Sequence, residues 1–157
     1  MGSEPIGAAK SDAQNSIQVL DRSECLRLLQ ETRFGRVAVR MPDGSPALRP
    51  VNYAFDAHSQ SVVFRTGRGS KLHGLLMAGR AAFEIDGIDP AAHTGWSVIV
   101  SGVTEEVHAP SEVERLLMLG VAPWAPEEKP WFVRLRAFSV SGRRVRGSGG
   151  EATPQRR

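Results

Sequence analysis

Phe34-Gly35-Arg36-Val37-Ala38-Val39-Arg40, the turn Pro42-Asp43-Gly44, and the return Ala47-Leu48-Arg49-Pro50-Val51-Asn52-Tyr53-Ala54-Phe55 decide the fold. The first run reads as a strand. Proline presets one turn angle and glycine tolerates the next, so the chain reverses and the second run comes back beside the first. A polar turn over residues 56–60 then leads into a third strand, Ser61-Val62-Val63-Phe64-Arg65-Thr66. Three strands joined by turns this short make an antiparallel meander, because parallel neighbours need a crossover of a dozen residues or more.

Ahead of the meander, Asp21 followed by Glu24 is a capping box, and Leu20, Cys25, Leu28 and Leu29 give a helix ending near Thr32 its apolar stripe. After it, the Gly67–Ser70 stretch breaks the pattern, and Lys71 to Met77 reads as a short helix with Leu72, Leu75 and Leu76 on one side. A strand is expected over Ala81–Asp86, a loop over Gly87–Thr94, and a long strand over Trp96–Val107 in which Gly102 marks a bulge or a close backbone approach. Ser111 with Glu114 repeats the capping-box spacing and opens a helix through Leu116 and Leu117 toward Leu119. A proline-rich loop ends at Pro130, and a sixth strand runs from Trp131 to about Val140. Helices inserted among six strands, instead of alternating with them, point to a mainly β, six-stranded antiparallel barrel with Greek-key connections. Closure removes exposed sheet edges, and side chains fill a barrel this small, so a large ligand must bind at its rim or at a subunit seam.

A length of 157 residues suits one domain, here residues 17–146, with disordered tails expected over 1–16 and 147–157. Hydrophobic residues at 41% and charged residues at 24% exclude a wholly disordered or fibrous chain. The formal charge of +3 could suggest nucleic acid, but the excess gathers late, at Arg134, Arg136, Arg143, Arg144, Arg146, Arg156 and Arg157. Solubility and local anion binding account for it, and no nucleic-acid partner is expected. Cys25 is the only cysteine, which excludes an intrachain disulfide and a cysteine zinc cluster and fits a reducing cytoplasm. Its place in the helical stripe makes it a buried structural thiol. No apolar run approaches the roughly 20 residues of a membrane span, and the start Met1–Pro5 lacks a signal-peptide pattern, so a soluble cytoplasmic protein is expected.

The segment Phe64-Arg65-Thr66-Gly67-Arg68-Gly69-Ser70-Lys71 carries a strand through glycines into a helix start. Unpaired backbone N–H groups, the Ser70 hydroxyl and the Lys71 ammonium together suit a phosphate monoester. A tight turn with a solvated Lys71 is the alternative. Neither a Walker A loop nor the full dinucleotide glycine fingerprint is present. His58, His73, His93 and His108 are scattered without metal-ligand spacing, so they read as surface or supporting histidines and no metal is expected. No Ser/His/Asp set or carboxylate pair assigns a catalytic residue.

Taken in order, the N-terminal helix, the meander with Pro50-Val51-Asn52-Tyr53, Phe64-Arg65-Thr66 with Gly69-Ser70-Lys71-Leu72, Gly95-Trp96-Ser97-Val98 and Trp131-Phe132-Val133-Arg134 resemble the pyridoxamine 5'-phosphate oxidase-like, FMN-binding split-barrel family over about residues 18 to 145. The resemblance implies a homodimer with FMN in the groove between subunits and a hydride passed through flavin N5 to a small-molecule acceptor. It implies that Ser70 and Lys71 hold the phosphate with Arg65 or Arg49, that Pro50, Val51 and Asn52 line the ring system, and that Thr66 lies near its pyrimidine edge. Trp96 and Ser97 resemble the strand forming the far side of the site; plain packing is the alternative for Trp96. Strand alternation separates Arg49, Val51 and Tyr53 from Pro50 and Asn52, and either set can face the groove. Trp124 and Trp131 suit a lid, a dimer contact or core filling. The C-terminal residues that would read pyridoxal phosphate are absent, which favours a different reductase role. A deazaflavin-dependent reductase and a non-catalytic FMN or haem carrier are the other readings of the same fold.

Overall fold

The alternation read in residues 34–40 is realised as inward Val37 and Val39 against outward Arg36, Ala38 and Arg40. In a computed structural model, which describes residues 16–67, 70–121 and 131–147, the elements are β1 (Ser16–Leu20), α1 (Arg22–Glu31), β2 (Phe34–Arg40), β3 (Pro46–Asn52), β4 (Ala54–Asp56) and β5 (Ser61–Thr66). They continue with α2 (Lys71–Leu76), β6 (Arg80–Asp89), β7 (Thr94–Val107), α3 (Pro110–Leu117) and β8 (Trp131–Arg146). Trp124 and both expected tails, apart from Ser16 and Gly147, lie outside the described residues.

Every strand pairing is antiparallel, and the sheet runs β3-β2-β6-β7-β8-β5-β4. The two ends of that path, β3 and β4, are separated in the chain by Tyr53 alone. The path therefore returns on itself: before Tyr53 the chain pairs with β2, after it with β5. Counted as one bent strand, β3–Tyr53–β4 completes a ring of six, the expected number. The β4–β5 ladder stops at the pair Ala54–Val63. Two steps further it would set Asn52 against Arg65, but Asn52 stays paired with Phe34 of β2. β3 and β5 stay close but share no ladder among the described residues, and this is the seam at which the ring is split.

Tyr53 holds this branch point. It is 1% exposed, its N–H donates to the Arg33 carbonyl, and its ring meets Phe83 edge-on at 4.7 Å between centroids. Its hydroxyl donates to the Leu29 carbonyl at 2.8 Å and lies 2.5 Å from the Thr32 hydroxyl, tying the branch to the end of α1. Burial pushes its phenol up to about 12, against the opposing pull of Thr32. Gly35 makes room for Phe83, since a Cβ there would fall 2.8 Å from the ring's Cε2.

Several elements differ from the sequence expectation. The sequence puts Ser16 in a disordered tail and Leu20 on the stripe of the helix, yet residues 16–20 form β1 along Gly142–Arg146 of β8, beyond the stretch that β5 occupies. β6 and β7 extend through the expected loop to Asp89 and from Thr94, because Gly87 carries no side chain and the Trp96 indole lies against its backbone. β8 runs to Arg146, beyond Val140, since β7 and β1 give its last residues partners on both sides. Asp21 caps α1 by accepting the Glu24 N–H at 2.8 Å, but the Glu24 side chain pairs with Arg27 and Arg144 and does not return to Asp21. The Ser111 capping box is not formed. Pro110, preorganised for a first turn, starts α3 earlier, with Ala109 at the cap and no side-chain cap bond. Gly102 does mark a bulge: the β7–β8 register shifts at Ser101/Gly102, and a Cβ on Gly102 would strike the Arg136 carbonyl.

The ring encloses Val37, Phe64, Phe83, Ile85, Val98, Val100, Val133 and Leu135, and α2 adds Leu75 and Leu76. A smaller cluster, including Val63, Phe132 and Leu116, sits under α3. Tyr53→Phe removes a buried hydroxyl that serves two partners. It is expected to cost about 1 to 2 kcal/mol in urea unfolding, and a wild-type midpoint would show that the branch does not depend on that hydroxyl.

Candidate functional site

The seam has two lips. On one, β3 is a sheet edge with β2 on a single side, and Arg49 is exposed, its guanidinium donating to the Leu48 carbonyl at 2.8 Å. Val51 packs against the core with Tyr53, whereas Pro50 and Asn52 share the outer face with their partners Arg36 and Phe34. This resolves the alternation in β3: Val51 and Tyr53 look inward, Pro50 and Asn52 outward.

On the other lip, β5 ends in Arg65 and Thr66, and α2 begins after Ser70. The Arg65 guanidinium lies 5.1 Å from the centre of the Phe132 ring, a cation–π distance. Thr66 is 2% exposed and its hydroxyl sits 2.8 Å from Nδ1 of His73. Ser70 is the N-cap, accepting the His73 N–H at 3.1 Å, and the Lys71 side chain is exposed. Nε2 of His73 is 3.1 Å from Glu106, whose second oxygen is 3.4 Å from His108. His108 in turn meets Trp131 edge-on. Eight expected site residues, Arg49, Pro50, Val51, Asn52, Arg65, Thr66, Ser70 and Lys71, thus fall on two neighbouring segments, β3 and the corner from β5 to α2.

Trp96 and Ser97 are not among them. They lie on β7, with β2 and β6 between them and β3 in one direction and β8 between them and β5 in the other. Trp96 faces Gly87 and Arg144 across its ladders, and Ser97 faces Asp86 and Arg143. Two clefts flank this hairpin, one of about 400 Å³ bordered by Asp89, Trp96, Arg144 and Arg146, the other of about 300 Å³ bordered by Glu84, Asp86, Ser97 and Arg143.

The sequence reading passed over several polar groups. His73 and Glu106 are 33 residues apart, and only the placement of His73 one turn after Ser70 hints at a role. On the outer face Arg36 bridges Glu84 at 3.2 Å and Asp86 at 2.9 Å. Burial and the nearby Asp86 charge push the Glu84 carboxyl up, with Arg36 opposing them. The same face exposes Ile17, Val19, Phe34, Leu48, Ile88 and Ile99, and the bulge turns Phe138 out to 68% exposure. Among the described residues no helix is long and apolar enough to cross a membrane, and no group of three His, Cys, Asp or Glu side chains could hold a metal.

A small antiparallel ring, opened along one seam whose lip carries a hydroxyl and an ammonium, is a split β-barrel. The family described as pyridoxamine 5'-phosphate oxidase matches residues 21–144, most of the ring. The chain belongs to the pyridoxamine 5'-phosphate oxidase family. It is 32% identical over 146 residues to the uncharacterized protein Rv0080 of Mycobacterium tuberculosis, covering 88% of this chain and 93% of that one. Among solved structures it is similar to the FAD binding protein from Mycobacterium smegmatis, at 30% identity and a TM-score of 0.72, covering 82% of this chain and all of that one. A FAD-binding protein from Mesorhizobium loti is 25% identical with a TM-score of 0.65, covering 82% of this chain and 97% of that one.

A carboxyl raised in the folded state contributes stability that is fully present below its unfolded pKa, about 4.3, and lost as pH rises through the folded value. Arg36→Met removes the charge that limits this loss for Glu84. The variant is expected to be destabilised more at neutral pH than near pH 4, and adding Glu84→Gln should remove most of that difference in melting temperature. An equal loss at both pH values would mean that Arg36 acts through packing alone.

Proposed function

We propose that the protein binds a flavin nucleotide, FMN in the first instance, across the seam, as a homodimer whose second copy completes the site. The observation that supports this reading is that eight of the ten residues suggested by the family resemblance fall on two segments that lie side by side, β3 and the corner from β5 to α2. The donor set fits the group. The exposed Lys71 ammonium and the Ser70 hydroxyl, whose hydrogen the cap leaves available, suit a phosphate ester, with Arg49 and Arg65 as neighbouring cations. Pro50, Asn52 and Phe34 offer an edge on which a flat ring system can lie.

Two observations favour the dimer. Trp96 and Ser97, resembling the far side of a flavin site, are separated from the seam within one chain, so another copy is needed to bring them to it. The outer face also exposes seven large apolar side chains, including Ile99 and Phe138, and exposed apolar groups gathered in this way mark association surfaces. FAD is the alternative cofactor, favoured by the two FAD-binding relatives; it presents the same first phosphate to the lip.

When bound, a flavin supplies two-electron transfer between a reduced nicotinamide or another donor and a small acceptor. The protein's own work is to anchor the phosphate, seat the ring and exclude water. On this reading the protein is an oxidoreductase, and its residues tune a cofactor in place of supplying a nucleophile.

Titration with FMN and FAD, followed by flavin fluorescence and by light scattering for mass, tests the proposal. Lys71→Ala should weaken FMN binding about tenfold or more, as loss of a charge-assisted contact implies. Ile99→Asp should yield monomers that bind flavin poorly. Wild-type protein that ignores both flavins, or binds one equally well as a monomer, would overturn the reading. Uptake of a deazaflavin alone would reassign the cofactor, and bound flavin without turnover across donors and acceptors would indicate a carrier.

A further inference from the structure

His73 holds both sides of the corner where β5 gives way to α2. Its backbone N–H donates to Ser70 Oγ at 3.1 Å, and its Nδ1 lies 2.8 Å from Thr66 Oγ1. Its Nε2 is braced at 3.1 Å by Glu106 on β7. The His73 and Glu106 side chains are only 18% and 14% exposed, so solvent competes weakly for these bonds.

The donors and acceptors can be counted. An ionised Glu106 only accepts, which places a hydrogen on Nε2. In the neutral ring Nδ1 must then accept, and the Thr66 hydroxyl must donate to it. In the imidazolium both nitrogens donate, Thr66 Oγ1 becomes the acceptor, and its hydrogen is turned away from the ring. Protonation thus adds a positive charge behind the corner and frees one donor there. Both changes favour an anion at Ser70 and Lys71.

Among the described residues few other charges face this ring. Glu106 is the carboxylate in contact, and His108 shares it at 3.4 Å. On its own helix Lys71 is exposed. Across the sheet, Glu105 is paired with Arg134 and Arg136 on the opposite face from Thr104 and Glu106, and Arg80 sits opposite Val103 on that same outer face. β2, which also packs on α2, turns Val37 and Val39 inward and its arginines outward.

We propose that His73 is a positioning residue that couples phosphate-ester binding to proton uptake, reading the ligand's charge through Thr66 and Ser70. The inference rests on the flavin reading above for the identity of the ligand. It predicts discrimination between FMN and riboflavin, which differ only in the phosphate, that grows as pH falls.

The test has two parts. FMN and riboflavin affinities are measured between about pH 5.5 and 8 for wild type and His73→Gln, and the His73 ring signals are followed by NMR with and without FMN or inorganic phosphate. The phosphate of FMN itself ionises near pH 6, but that ionisation is common to both proteins and cancels in their ratio. Wild type should gain about fivefold or more in FMN affinity relative to His73→Gln across this range, with riboflavin showing no such gain, and added FMN should move the midpoint of the His73 signals to higher pH. Flavin binding that leaves the His73 midpoint unmoved, or the same FMN profile in His73→Gln, would overturn the coupling and spare the flavin reading. A midpoint raised by inorganic phosphate in a protein that binds neither FMN nor riboflavin would do the reverse. If the protein binds neither flavin and inorganic phosphate leaves the midpoint unmoved, both fall.

Discussion

One residue, Tyr53, makes a single extended segment serve two neighbours. Before it the backbone bonds to β2, after it to β5, and its hydroxyl is fastened to the end of α1. A strand with unbroken pairing on both sides would have sealed the ring and left no lip. The hydroxyl supplies the polar satisfaction that a buried phenol requires, so the break is stabilised by the same contacts that hold α1 in place. Ring closure and seam are two results of one local choice.

The seam explains the distribution of polar groups. Inside the ring, buried apolar side chains pack together, as expected of a barrel this small. At the lips the interior face reaches solvent, and there Thr66, His73 and Glu106 satisfy one another while Lys71 and Arg49 project outward. The outer sheet carries a different pattern, with Arg36 between two carboxylates among exposed Ile, Val and Phe side chains. One face thus gathers charged and hydrogen-bonding groups at the seam, and the other exposes apolar area.

Much of this was legible in the sequence. The turn at Pro42-Asp43-Gly44, with Gly44 at a φ of +87°, and the alternation of residues 34–40 announced the meander, and the glycine at 102 announced its bulge. The capping pattern at Ser111 misled because Pro110 already takes helical geometry, which moves the cap back to Ala109. Residues 87–94 looked like a loop because glycine, aspartate and proline dominate them. Only the indole of Trp96 from the next strand shows why glycine extends the hairpin at Gly87. For the candidate site, local spacing singles out Ser70 and Lys71, and the structure places Ser70 at the cap of α2. The link from Thr66 through His73 to Glu106 depends on β7 passing beside α2, which no local pattern encodes. Likewise β1 is too short to announce itself, and it exists because β8 offers an edge.

β8 is the common partner of β1, β5 and β7, and it follows all of them in the chain. During synthesis on a ribosome, the nascent protein holds two open sheet margins until Trp131–Arg146 has emerged from the exit tunnel. The addition of β8 is therefore the step that joins the two parts of the ring. A stalled or truncated product would present sticky margins to its neighbours, a burden that falls on chaperones and on speed of elongation through the last strand.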